Sequence, residues 1–128
     1  MKTTMLKTLF VLALMGLFSQ NALAQDAGAA LKQISDIVAS INHFPSDADK
    51  AALAEISAND ALPQGLRNMA DTVANISHAA SAEGKAAMAS IQANDAAPEG
   101  AKALAGVIAG LNHVASDEAK ATLAQHFP

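Results

Sequence analysis

Three histidines recur at one interval in this chain: His43, His78 and His113 stand 35 residues apart, and a fourth, His126, lies outside the series. Neutral imidazole is a ligand for divalent transition metals, so three or four such side chains constitute a candidate donor set. The difficulty is distance. Metal–nitrogen bonds are about 2.0–2.1 Å long, whereas equivalent helices in a linear stack sit roughly 10 Å apart. Two neighbouring histidines could share an ion in such a stack, but three in a column could not. Only a closed arrangement would bring His43, His78 and His113 together. No His-x-x-x-His or Glu-x-x-His pair offers a site on a single helix. At 100° per residue His43 falls about 160° from the centre of the nearest apolar helical face, so it is not expected in the core. The simpler expectation is that each histidine caps the C-terminus of a helix, where a donor or a positive charge is favourable. Divalent metal binding through His43, His78 and His113 is the sharper alternative.

The same interval repeats Ser46, Ser81 and Ser116, and Lys50, Lys85 and Lys120. A serine three residues after a histidine invites a nucleophile–base reading. That chemistry also needs an orienting acid and an oxyanion hole in fixed geometry, and threefold recurrence of serine before a helix start is what N-capping produces. The lysines read as a solvated helix face pairing with neighbouring acids such as Asp47. Gly65 and Gly100 are single, so there is no glycine-rich phosphate loop. The sequence therefore predicts no enzyme and no cofactor.

The elements that carry these residues are legible as a repeat. Residues 31–65 and 66–100 match at 18 of 35 positions, and residues 101–128 cover the first 28 positions of a third unit. Alanine-rich composition alone would align alanines, not the histidine, the serine, the lysine and the Asn-Asp-Ala-x-Pro-x-Gly that closes the first two units. Within each unit two helices are expected. The first carries Leu31, Ile34, Ile37, Val38 and Ile41, then Leu66, Met69, Val73 and Ile76, then Leu104, Val107, Ile108 and Leu111, all at helical spacing. The second begins after Ser46, Ser81 or Ser116, with acids in its first turn, and carries a thinner apolar face: Leu53 and Ile56, Met88 and Ile91, then Leu123. Asn59 and Asn94 suit the left-handed residue that ends a helix, and Pro63 and Pro98 suit the start of the next. The expected fold is all-α: about six short antiparallel helices in 2.8 helix–turn–helix repeats, forming a short α-solenoid or a compact helical bundle. The solenoid is favoured slightly because equal repeats make equal interfaces. The unit is similar in outline to tetratricopeptide-type arrays, although the Trp, Gly and Tyr positions of that signature are not matched here.

The ends and the charge bound the setting. Residues 1–24 read as a cleaved signal peptide: Lys2 and Lys7, the apolar run Leu9 to Phe18, then Ala22-Leu23-Ala24. Residues 25–30 read as a flexible N-terminus and 31–128 as one helical-repeat domain. No later stretch is apolar over the length a membrane span needs. Export to the periplasm or the extracellular medium is the expectation. The part after residue 24 holds 6 basic and 12 acidic residues, hence 6 − 12 = −6 with neutral histidine. That sign opposes nucleic acid and anionic lipid as partners. Cysteine is absent, so the fold has no disulfide support.

With no active-site constellation, the leading functional expectation is a non-enzymatic exported repeat protein that binds another protein or itself. A histidine-dependent metal-binding or metal-buffering protein is the alternative, and an acid-responsive envelope stress protein a further one. The repeat also makes a stability prediction. Ile76→Ala, in the central unit, should destabilise more than Leu31→Ala at the edge. Equal losses of thermal stability in the two variants would count against stacked units.

Overall fold

The computed structural model describes residues 27–128; the signal-peptide reading and residues 25 and 26 lie outside them. Six helices and no strand are present among the described residues. They are α1 (residues 27–40), α2 (Asp47–Ala58), α3 (Gln64–Ala74), α4 (Ala82–Ala93), α5 (Glu99–Gly110) and α6 (Asp117–His126). Residues 27–30, expected to be loose, form the first described turn of α1, and Ala30 is buried there. Alanine at 27, 29 and 30 favours that helical turn.

Local chemistry accounts for the helix starts. Ser46, Ser81 and Ser116 are the N-caps of α2, α4 and α6, and each hydroxyl accepts the backbone N–H three residues on, from Asp49, Gly84 and Ala119. Pro63 and Pro98 stand at the N-cap positions of α3 and α5, where the missing N–H costs nothing. Asn59 and Asn94 close α2 and α4 in an extended conformation, φ −82° and −86°, not the left-handed one expected. Their side-chain oxygens accept from the N–H of Ala61 and Ala96, forming turns that need no positive φ.

Burial divides the helices into two sets. The odd-numbered helices supply most of the core: Ile34, Ile37 and Val38 from α1, Leu66, Met69, Ala70 and Val73 from α3, and Leu104, Ala105 and Ile108 from α5. The even-numbered helices add little beyond Leu53 and Ile56, Met88, and Leu123. Between consecutive helices the packing is close. At Gly84 a Cβ would lie 2.6 Å from Cγ2 of buried Thr72, so only hydrogen fits between α4 and α3 at this point.

The chain also closes on itself. The N–H of His43 donates to the carbonyl of His113 at 2.6 Å, joining the first interhelical loop to the last. Asn42 forms a bridge with Val114, and Lys32 Nζ reaches the carbonyl of Phe127 at 3.4 Å. At the opposite end Leu31 of α1, Leu66 and Met69 of α3, and Ala101 of α5 line one apolar cleft of about 320 Å³. The odd-numbered helices thus surround a common axis at both ends. An open stack would make no contact between its first and last units, whereas here the first and last interhelical loops touch.

Closure has a mechanical consequence. Ile41, Ile76 and Leu111 are buried to nearly the same degree beneath the three loops, at 4%, 2% and 4% exposure. Truncating any of the three to Ala is expected to cost about 2–5 kcal/mol, with no lesser cost for the two outer positions. Urea denaturation of the three variants checks this. A markedly smaller loss at Ile41 and Leu111 than at Ile76 would mean that the ends are frayed and the ring is open.

Candidate metal centre

The loop after each odd-numbered helix has one pattern. An aliphatic residue, Ile41, Ile76 or Leu111, points into the core, and so does the residue four positions later, Pro45, Ala80 or Ala115. These two anchors leave the histidine midway between them at the axis. Its backbone is left-handed in every case: φ is 74° at His43, 71° at His78 and 71° at His113, and no other described residue has a positive φ. Histidine is among the residues that tolerate this region better than most, though it costs more than glycine would.

That conformation serves a ring of backbone hydrogen bonds. His43 N–H donates to the carbonyl of His113, His113 N–H to that of His78, and His78 N–H to that of His43, at 2.6, 2.5 and 2.6 Å. Each histidine gives one bond and accepts one, so the triangle leaves none of its N–H groups unpaired. The three loops are thereby locked at a common end, and the three side chains must leave from nearly the same place.

The imidazoles converge as a result. Ring centres are 5.2 Å apart for His43 and His78, 5.1 Å for His43 and His113, and 4.9 Å for His78 and His113. One nitrogen from each can be chosen so that all three lie within 4.8 Å of one another. A tetrahedral zinc ion with bonds of about 2.0–2.1 Å holds its nitrogen ligands about 3.3 Å apart and their ring centres about 5 Å apart. The ring centres already stand at that separation, and the nitrogens would draw together from within 4.8 Å to bind an ion.

Two of the three rings are oriented by a neighbour. Nδ1 of His43 lies 2.7 Å from Oδ1 of Asn42, and Nδ1 of His113 lies 2.7 Å from Oδ1 of Asn112. An amide oxygen only accepts, so it selects the tautomer with hydrogen on Nδ1 and leaves the Nε2 lone pair free. A ligand histidine held in this way by a second polar group is the usual arrangement around bound metals. His78 comes after Ser77 instead of an asparagine and has no such bond. His43 is half-buried and the other two rings are exposed, so the centre opens to solvent.

The remaining sequence expectations sort by position. The cap residues of α3 and α5 are Asn75 and Leu111, so His78 and His113 stand three and two residues past the caps that they were expected to provide. Instead of serving a helix terminus, their main chains bond to one another. His126 ends α6 and packs against Phe127, outside the cluster. None of the three ion pairs among the described residues includes Lys50, Lys85 or Lys120. Lys50 Nζ instead sits 5.9 Å from the centre of the Phe44 ring. Sequence reasoning missed the supporting role of Asn42 and Asn112. The Asn-His dipeptide, present in two units of three, was the available signal. Comparison with family models, with curated proteins and with solved structures gives no match.

The positive φ at each histidine separates backbone from side-chain roles. His78→Gly should leave the unfolding free energy within about 1 kcal/mol of the parent, since glycine adopts this conformation freely. His78→Val should destabilise by more, about 1–3 kcal/mol, because a β-branched residue is strained there. Thermal melts of the two variants, read together, test the geometry. Equal stability would show that position 78 is not left-handed.

Proposed function

We propose that this chain is an exported, non-enzymatic metal-binding protein that holds one divalent transition-metal ion on Nε2 of His43, His78 and His113. In this reading residues 1–24 are a signal peptide, and the helical part is three copies of one hairpin closed into a ring. The ring places the repeated histidine of every unit on the axis. The observation that carries the proposal is the 4.9–5.2 Å spacing of the three ring centres. Support comes from the tautomers that Asn42 and Asn112 select. Three neutral nitrogen donors suit zinc, nickel or copper(II) in preference to calcium or magnesium, which take oxygen ligands.

Self-association is the second reading, and one observation favours it. Phe44 and Val114 are the large hydrophobic residues that stand exposed among those described, at 58% and 47%. Each comes directly after a histidine of the cluster.

Calorimetric titration with Zn²⁺, Ni²⁺ and Cu²⁺ tests the proposal. A dissociation constant in the micromolar range or tighter is expected, about −8 kcal/mol. His78→Ala should weaken binding sharply, because two imidazoles remain of three. Asn42→Ala should weaken it by about 10-fold or more through loss of the tautomer lock. Protons compete for the same lone pairs, so affinity should fall as the pH is lowered. Metal at 100 times its dissociation constant should raise the unfolding free energy by about 2.7 kcal/mol. Absence of binding tighter than millimolar for all three ions would remove the proposal.

A further inference from the structure

Three nitrogens from one side fill half of an octahedron, and the face around them has the makings of an interface. The imidazoles occupy its centre. Phe44 and Val114 stand beside them, exposed, with Ala79 at the equivalent place in the middle loop. Further out the even-numbered helices begin, four residues after each histidine. Their first turns carry Asp47 and Asp49, Glu83, and Asp117 and Glu118. Lys50, Lys85 and Lys120 lie in the same helices, and the position of Lys50 over the Phe44 ring places it at this end. None of these acids or lysines takes part in the ion pairs among the described residues.

We propose that a second copy of this chain covers this face, with one divalent ion shared between the two histidine clusters. The inference rests on the metal-binding function just proposed. The copies are related by a twofold axis perpendicular to the axis of the ring, so each presents the same surface to the other. Three imidazoles from each chain complete six-coordination. Phe44 and Val114 of both copies leave water together. The rim is self-complementary because it carries both signs of charge: a lysine of one copy can face the first-turn acids of the other. Water on the open side, one molecule for four-coordination or three for six, would complete the coordination equally well. It would leave Phe44 and Val114 uncovered, and a rim that carries both signs of charge matches a second copy of itself, so a second copy is the assigned occupant.

The test combines sedimentation velocity with calorimetry on the untagged chain, using nickel chloride alone as the probe because nickel accepts six nitrogen ligands. The metal-free chain should sediment as a monomer. Half an equivalent of nickel should double the mass, the heat should reach its end point at one nickel per two chains, and EDTA should restore the monomer. The double variant F44D/V114D changes only exposed positions, and its fold is verified by circular dichroism. It should stay monomeric with nickel and bind one ion per chain. One nickel per wild-type chain with unchanged mass would overturn the shared ion and leave the metal reading standing. No nickel heat at all would overturn the shared nickel ion, and the metal reading falls with it only if zinc and copper(II) also fail to bind. A dimer that forms equally well without metal would overturn the bridge. Nickel-driven dimers of F44D/V114D would show that the copies meet elsewhere.

Discussion

Closure of the chain depends on three backbone hydrogen bonds. The N–H of each cluster histidine is taken by the carbonyl of another, and the circuit joins loops that are 35 and 70 residues apart in sequence. Polar main-chain groups near the core must be paired, and here the partners come from other hairpins instead of from the same helix. The circuit requires the left-handed conformation at all three positions. Apolar anchors on either side, such as Ile41 and Pro45, hold each loop down while the residue between them turns. Helix packing, loop conformation and side-chain convergence therefore meet at one place.

That place carries a tension between stability and chemistry. Glycine would satisfy the same backbone circuit with no steric cost, and the chain uses glycine at seven other positions. At the axis it uses imidazole three times. A strained conformation that could be relieved by a smaller residue, yet carries the same side chain at all three positions, points to a use for that side chain. The use we propose is coordination, since the ring centres stand about 5 Å apart and two of the rings lie against an asparagine oxygen at Nδ1. The departure at His78, preceded by Ser77, leaves one arm of the cluster less constrained than the others.

Much of the scaffold was legible along the chain. The serine caps at Ser46, Ser81 and Ser116 and the aliphatic stripes of all three hairpins stand where their spacing placed them, because capping and amphipathic burial depend on neighbours within a turn or two. Local reasoning failed where two local solutions compete. Asn59 and Asn94 had the composition of a left-handed helix end, but a side-chain turn to Ala61 and Ala96 satisfied the backbone instead. The positive φ went to histidines that no local rule selects. Thr72 and Gly84 illustrate the same limit on the packing side: nothing in either helix alone indicates that the two must touch.

Sequence by itself determined which segments are helical, where most of them start, which faces they bury, and that a histidine returns at every thirty-fifth position. It also determined the condition for chemistry, namely that three such histidines can act together only if the chain closes. Tertiary structure decided whether that condition is met. Closure depends on contacts such as His43 with His113, which no window of sequence contains. The periodicity of a hairpin is the same in a line and in a ring. Only the accumulated geometry separates three distant imidazoles from a cluster with the dimensions of a metal site.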